Sequence, residues 1–248
     1  MRAGQIPRQG IRKIQTVYWE SSGAARAVRS AIRSSNALLV RNVLDSEACS
    51  RVARAVAEDR PARFLKPFPG ENIISYARNE WTEESRRPAI LLDDDAFGQT
   101  RIDLEPSFEP SRVPMRRLLG GFRLNARASM IFVTSGGIRT PLHSDERHGV
   151  LLHIVGAKNF VIIPSRDSDA DAGTLRELLT LRDTSGCHAE LYGEPPCNES
   201  LRKVRRLQGE LQPGDALFIP QRWLHDIEST TPTISISLRF GAWDMPNS

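Results

Sequence analysis

Short segments in which apolar and polar residues alternate dominate the second half of the chain. The clearest is 233–240, where Ile, Ile, Leu and Phe are separated by Ser, Ser and Arg. Because successive side chains of a β-strand point to opposite faces, this alternation predicts a strand with one apolar face. Further strands are predicted at 128–133, 150–155, 159–164 and 216–220. Many short strands separated by Gly and Pro favour a β-sandwich or a jelly roll.

The first half of the chain has a mixed pattern. Apolar residues recur at helical spacing within 21–35 and predict a helix there. A second helix is predicted from Asp45 to about Asp59, because Asp45 is a favourable N-cap residue. The apolar run 37–43 between them is typical of a buried strand, and the β-prone segment 16–19 of an edge strand.

Two regions have a less regular pattern. Residues 61–110 show little periodicity, although the apolar runs 73–76 and 89–92 are interpreted as short strands. Residues 165–209 form an insertion in which apolar residues at helical spacing predict two helices, the second carrying Leu201, Val204 and Leu207. An insertion of this length is often a lid or a contact surface.

Length and composition indicate one globular domain. The chain has 248 residues, of which 40% are apolar and 26% charged. We expect a single domain over 1–248, with a flexible arm at 1–20, an α/β extension at 21–127 and a jelly-roll core at 128–243 that contains the insertion. The expected fold class is therefore mainly β, with N-terminal helices and a helical insertion.

The charge and cysteine content limit the expected partners and location. The net charge is only +4, and the arginines are interleaved with acids, so nucleic-acid binding is not expected. No run reaches the roughly 18 apolar residues of a membrane span, and we identify no signal peptide. Cys49, Cys187 and Cys197 lack paired metal spacing and are interpreted as free thiols. Free thiols are typical of a reducing cytoplasm, where we expect this protein.

Three residues of the second half suggest a metal site. His143 and Asp145 are two residues apart, so in an extended strand their side chains share a face. His225, much further along the chain, would add a second imidazole. Two histidines and one carboxylate form the ligand set of non-haem Fe(II) oxygenases.

The residues around these three candidates follow, in order, the pattern of a known protein family, which strengthens the interpretation as a metal site. The pattern resembles that of the cupin-like JmjC-type 2-oxoglutarate oxygenases, and among them the small hydroxylases related to the asparaginyl hydroxylase of the hypoxia-inducible factor. The match covers about 128–164 and 211–243. The residues that carry it are Thr140, His143 and Asp145, then Gly156 and Lys158, then Pro213, Gly214 and Asp215, and finally Ile219, Pro220, Trp223 and His225.

The resemblance implies a fold, a metal and a cosubstrate. The family fold is a double-stranded β-helix, which is a form of jelly roll. The implied Fe(II) ligands are His143, Asp145 and His225, and the implied contacts of 2-oxoglutarate are Thr140 and Lys158. The physical chemistry agrees, because a buried dicarboxylate needs a compensating charge. The alternative is that Lys158 extends from the strand end into solvent.

Two positions depart from the family pattern. Gly149 stands where relatives often carry an asparagine, and Arg239 stands near another asparagine position. Arg239 is predicted to bind the cosubstrate together with Lys158. The alternatives are that Arg239 binds an acidic group of the substrate or that it faces solvent.

The other histidines have separate interpretations. His148 is placed beyond the strand, as a candidate substrate contact rather than a ligand. His153 is interpreted as a packed core residue, and His188 lies in the insertion near Cys187 without forming a zinc site.

The implied activity is that of an Fe(II)- and 2-oxoglutarate-dependent dioxygenase. It would hydroxylate an unactivated C–H bond with O2 and release succinate and CO2. We expect an amino-acid-like small molecule or a peptide residue as substrate. The alternatives are a protein side-chain hydroxylase and a cupin that binds metal or a small ligand without turnover. A homodimer through the helical insertion is compatible with the sequence.

Overall fold

The computed structural model describes residues 11–58, 61–67, 71–74, 79–93, 97–103, 118–165, 177–178, 191–192, 201–202 and 204–241. Within these ranges α1 (Ala24–Ser34) and α2 (Ser46–Ala57) are the α-helices described along their whole length, and residues 118, 177–178, 191–192 and 201–202 are also helical. The strands are β1 (Ile11–Lys13), β2 (Thr16–Tyr18), β3 (Leu38–Arg41), β4 (Gln99–Asp103), β5 (Met130–Thr134), β6 (Ile138–His143), β7 (His148–Val155), β8 (Lys158–Ile163), β9 (Arg206–Leu211), β10 (Ala216–Ile219), β11 (Leu224–Ser229) and β12 (Thr233–Phe240).

The strands form two sheets. One has the order β1-β9-β8-β11-β6 and the other β2-β3-β10-β7-β12-β5-β4. The strands from β5 to β12 contribute four to each sheet, and their pairings with one another are all antiparallel. This arrangement, with few helices, confirms the predicted jelly-roll fold.

The two helices cover the outer face of the seven-stranded sheet. Val28 and Ile32 of α1 and Val56 of α2 pack in one buried cluster with apolar side chains of β12 and its neighbours. The side chain of Asp45 caps α2 as predicted, accepting a hydrogen bond from Ala48 N at 2.7 Å. The predictions of α1, α2, β3 and the edge strand β2 are confirmed.

The insertion contributes apolar side chains to the outer face of the five-stranded sheet. Leu178, Leu191 and Leu201 are fully buried against Val161 and Leu224. In the described part of the insertion, these side chains therefore belong to a core cluster rather than to a lid over the space between the sheets.

Several predictions in the irregular regions are wrong. Of the predicted strand 89–92, residues 89–91 lie in a 3₁₀ helix, Pro88–Leu91, because Pro88 lacks the amide hydrogen of a central strand and suits the first turn of a helix. Leu207 lies on β9 rather than on a helix, because β9 pairs with β8 along its length. Part of the arm predicted to be flexible, Ile11–Lys13, is a strand paired with β9. Strand β4 was not predicted.

No helix among the described residues is both long enough and apolar enough to span a membrane.

Candidate metal centre

A cavity of about 580 Å³ lies between the two sheets. Thr140 and His143 on β6, His225 on β11 and Arg239 on β12 all line it. Strand β12 turns its polar residues toward this cavity and its apolar residues toward the helices. The space between the sheets is therefore partly a binding cavity with polar side chains and partly an apolar cluster, which includes Leu151, Phe160 and Leu217.

Strand pairing places the two histidines beside each other. His143 and His225 are direct partners in the β6–β11 ladder, and their ring centroids are 4.1 Å apart. The register shifts between this pair and the next, because Thr140 pairs with Ile227. Pro141 lies in the extra segment, where a residue without an amide hydrogen costs no ladder bond. The irregularity explains how Thr140 and His143, three residues apart, both face the cavity.

Backbone carbonyls fix the orientation of both imidazole rings. Nδ1 of His143 lies 2.8 Å from the Pro141 carbonyl oxygen, and Nδ1 of His225 lies 3.0 Å from the Trp223 oxygen. Because a carbonyl oxygen can only accept, each Nδ1 carries the hydrogen and each Nε2 is left with a lone pair. This is the tautomer in which histidine binds a metal through Nε2.

Burial keeps His143 neutral. Burial first, and then the neighbouring His225, lower the pKa of His143 to about 4. The ring is therefore uncharged at neutral pH, as a metal ligand must be.

Asp145 lies two residues beyond the end of β6 and completes the group. Its backbone oxygen accepts a hydrogen bond from Arg222 N at 2.7 Å, which ties this loop to the turn before β11. Its Oδ2 lies 3.4 Å from His225 Nε2. Burial alone would raise the pKa of Asp145, but the ring of His225 in its protonated form, followed by Arg239 and His143, holds that pKa well below its usual range. Asp145 is thus a carboxylate at neutral pH.

The three predicted ligands form one compact donor set. One ligand atom from each of His143, Asp145 and His225 lies within 4.8 Å of the others. Two imidazole nitrogens and a carboxylate oxygen suit Fe(II), and they leave coordination positions open for other groups. The residues present therefore fit the metal that the sequence predicts.

Lys158 lies inside the cavity rather than at its surface, so the solvent-exposed alternative is wrong. The residue is 5% exposed, and its Nζ donates to Ser229 Oγ at 2.7 Å. Burial lowers the pKa of Lys158 to about 7. Among the described residues, no carboxylate forms a hydrogen bond or an ion pair with this amine. A carboxylate ligand in the cavity would supply the missing counter-charge.

Gln99 on β4 is a cavity residue that the sequence interpretation missed. It is 4% exposed, and its buried Oε1 has no hydrogen-bond partner. It pairs with Thr134, which pairs with Thr233, whose Oγ1 lies 3.1 Å from Ser229 Oγ. Gln99 therefore belongs to the same row of polar residues as the partner of Lys158. No local pattern in the sequence pointed to it, because this proximity depends on the pairing of β4 with β5.

Arg239 lies at the metal-binding end of the cavity. Its Nη1 contacts Asp145 Oδ2, and its side chain is 17% exposed. The alternative in which Arg239 simply faces solvent is therefore wrong.

The remaining histidines are structural or lie outside the described residues. His153 is fully buried between Ser235 Oγ and the Gly156 oxygen, each 2.9 Å away, so its predicted core role is confirmed. His148 begins β7 rather than lying beyond it, and is buried against Phe218 and Phe240. Its Nδ1 accepts a hydrogen bond from the Gln221 amide at 3.0 Å, so its placement as a substrate contact is not supported. His188 lies outside the described residues.

Comparisons with known proteins agree with this geometry. Jumonji C domain-containing protein 5 of Drosophila melanogaster is 31% identical over 101 residues, which are 41% of this chain and 24% of that protein. Lysine-specific demethylase JMJ30 of Arabidopsis thaliana is 29% identical over 41% of this chain and 23% of that protein. The human tRNA wybutosine-synthesizing protein 5 is 26% identical over 45% of this chain and 33% of that protein.

The similarity to these relatives is partial, whereas the family match is extensive. The chain spans between about a quarter and a third of the length of these curated relatives. The family model for the cupin-like domain, by contrast, matches residues 41–243, which include strands β4 to β12 and all three predicted ligands. This chain belongs to the family of cupin-like domains, of the JmjC type.

Proposed function

We propose that this protein is an Fe(II)- and 2-oxoglutarate-dependent dioxygenase that hydroxylates an unactivated C–H bond. The observation that carries the proposal is one cavity containing both a two-histidine, one-carboxylate group and a buried lysine without a carboxylate partner among the described residues. When bound, the iron and cosubstrate supply the chemistry in which O2 hydroxylates the substrate and converts 2-oxoglutarate to succinate and CO2.

The residues of the chain have distinct roles in this proposal. His143, Asp145 and His225 would hold the metal, and the carbonyls behind the two rings keep each Nε2 directed inward. Lys158, with Thr140 beside the metal-binding segment, would bind the distal carboxylate of 2-oxoglutarate. Lys158 is buried, so a charged hydrogen bond to its amine is screened less than one in solvent.

Gln99 is a further candidate for the cosubstrate pocket. A buried amide oxygen without a partner costs free energy, which a ligand can recover by supplying a donor. Rotation of the amide would instead present its nitrogen to a carboxylate, since the two amide orientations have almost the same shape. In either orientation, Gln99 lies in the row of polar residues that contains the partner of Lys158.

We favour an amino-acid-like small molecule or a peptide residue as substrate. The cavity must hold a cosubstrate and the reacting part of the substrate within about 580 Å³. Apolar side chains such as Ile74, Met130 and Phe132 line part of it, which suits an aliphatic or aromatic portion of a substrate.

The first experiment distinguishes an oxygenase from a non-catalytic cupin. Fe(II) and 2-oxoglutarate are added anaerobically, and we expect the weak visible charge-transfer band of a chelated cosubstrate. Admission of O2 with substrate should then produce succinate, and Asp145→Ala should abolish both signals without unfolding the protein. Full succinate formation by Asp145→Ala would contradict the ligand assignment. Absence of the band in the wild-type protein would favour a binding-only role.

The substrate is then sought by mass spectrometry. Candidate amino acids, peptides and intact proteins are incubated with the loaded enzyme and tested for an O2-dependent gain of one oxygen atom. Modification of intact proteins only would favour the protein side-chain hydroxylase over our preferred substrate class.

A further inference from the structure

Arg239 makes a partly buried ion pair with the carboxylate that is proposed to bind the metal. Its Nη1 contacts Oδ2 of Asp145, which is also the oxygen that lies 3.4 Å from His225 Nε2. The two side chains are 17% and 24% exposed, so solvent screens this pair less than an ion pair on the surface. Arg239 therefore influences both the orientation and the charge of the metal-binding end of the cavity.

Gly149 supplies the space in which the guanidinium lies. Gly149 and Arg239 are direct partners in the β7–β12 ladder. A Cβ atom at position 149 would lie 2.8 Å from Nη1 and 3.5 Å from Cζ of Arg239. The three heavy atoms nearest to such a Cβ all belong to the arginine side chain. The missing side chain at 149 and the position of Arg239 are thus two parts of one feature.

The ion pair changes the charge of the donor set. Ligating histidines are neutral, so Asp145 alone would give this set a charge of −1. With Arg239 the sum is zero, and a divalent cation would leave two uncompensated positive charges at the site. The chelating carboxylate of 2-oxoglutarate would offset one of these charges at short range and reduced screening, while its distal carboxylate pairs with Lys158.

We propose that Arg239 is a positioning residue for Asp145 and that it makes the centre bind a divalent metal tightly only together with a chelating dicarboxylate. This inference rests on the proposed function, because it requires Asp145 to be a metal ligand. Arg239 holds the carboxylate in place and reduces its attraction for a bare cation. Because linkage is reciprocal, the dicarboxylate then tightens metal binding by the same factor as the metal tightens dicarboxylate binding.

The test measures the affinity of the intact protein for Co(II) with and without 2-oxoglutarate under anaerobic conditions. We expect Arg239→Ala to bind Co(II) alone about tenfold more tightly than the wild type. The factor by which 2-oxoglutarate increases the Co(II) affinity should be about tenfold smaller in this variant. Arg239→Lys keeps the charge and should retain part of the linkage. Arg101→Ala, which removes the same charge from β4 of the same cavity, serves as the matched control and should have a smaller effect.

A second pair of variants tests the role of Gly149. Gly149→Ala should displace the guanidinium and reproduce the effect of Arg239→Ala on both affinities. In the Arg239→Ala background, the added methyl group has room, so Gly149→Ala should have no further effect. This non-additivity is the signature of two residues acting through one contact.

The outcomes separate this inference from the proposed function. If the wild-type protein binds no Co(II), the metal assignment fails and the inference falls with it. If the wild type binds Co(II) and 2-oxoglutarate but Arg239→Ala changes neither the Co(II) affinity nor the linkage, only the inference is overturned. Additive effects of Gly149→Ala and Arg239→Ala would also overturn it. A merely structural role of Arg239 would lower the melting temperature of the metal-free protein without changing the ratio of the two Co(II) affinities.

Discussion

His143 and His225 face each other directly across β6 and β11, with ring centroids 4.1 Å apart. Each ring is fixed by a carbonyl of its own strand or turn, so neither depends on a mobile side chain for its orientation. The register shift at Pro141 brings Thr140 to the same cavity. The metal-binding face is therefore built into the strand ladder before any metal binds.

Metal binding should stabilise the wild-type protein but not His143→Ala. A ligand that binds only the folded state at 100 times its dissociation constant adds about 2.7 kcal/mol to the free energy of unfolding. We expect an increase in melting temperature with Co(II) and 2-oxoglutarate that is lost in His143→Ala. His153→Ala is the matched control, because His153 is buried but bonded to Ser235 and Gly156. Equal stabilisation of His143→Ala and wild type would contradict the assignment.

The buried ion pair between Arg139 and Asp226 should be important for stability. Arg139 Nε lies 3.0 and 2.8 Å from the two oxygens of Asp226, and both side chains are almost fully buried. Because Arg139→Met removes this guanidinium from a buried carboxylate, we expect a loss of about 3–5 kcal/mol in the free energy of unfolding, measured with urea.

Two further variants serve as controls for this stability prediction. Arg139→Met combined with Asp226→Leu removes both charges and should cost much less than Arg139→Met alone. Arg51→Ala breaks an exposed pair with Glu47 on α2 and should cost less than about 1 kcal/mol. If Arg139→Met costs no more than Arg51→Ala, the buried pair is not the stabilising element that its geometry indicates.

Two of the proposed metal ligands could be predicted from a short spacing, and His225 from its place in the family pattern. His143 and Asp145 are two residues apart on an extended segment, and the rarity of lysine made Lys158 conspicuous. Helix α2 could be predicted from its N-cap and apolar stripe, which are also local signals. Gln99 could not, because it reaches the cavity only through the pairing of β4 with β5.

Alternation alone also did not reveal which face of a strand points inward. The pattern of β12 predicts a strand, but its polar residues Ser235, Ser237 and Arg239 line the interior cavity. Its apolar residues, among them Ile236 and Leu238, pack outward with the helices. The usual expectation that apolar side chains face inward fails for β12 because this strand lines the binding cavity, whereas Leu151, Phe160 and Leu217 still form an apolar cluster between the sheets.

The affinity for 2-oxoglutarate should fall as the pH rises above about 7. Burial lowers the pKa of Lys158 to about 7, and a bound carboxylate favours the charged amine and raises that pKa. Below pH 7, Lys158 is already charged, so the affinity should be nearly constant. Above it, binding must take up a proton, and the affinity should approach a tenfold loss per pH unit.

Lys158→Met tests whether this pH dependence belongs to Lys158. The variant should bind 2-oxoglutarate more weakly and with little dependence on pH between about 6 and 9, as followed by calorimetry in the presence of Co(II). A pH dependence in Lys158→Met as steep as that of the wild type would assign the titrating group elsewhere.

Gln99→Met should stabilise the ligand-free protein while weakening cosubstrate binding. The buried Oε1 of Gln99 has no partner, so its removal should add about 1–3 kcal/mol to the free energy of unfolding. If Gln99 contacts 2-oxoglutarate, the same change should raise the dissociation constant about tenfold, because a hydrogen bond to a charged ligand is lost. Met130→Leu, an apolar substitution in the same cavity, should change neither quantity by a comparable amount. An unchanged dissociation constant in Gln99→Met would show that Gln99 does not contact the cosubstrate. A gain in stability together with a loss in affinity would show that the unpaired oxygen contributes to binding at a cost to folding.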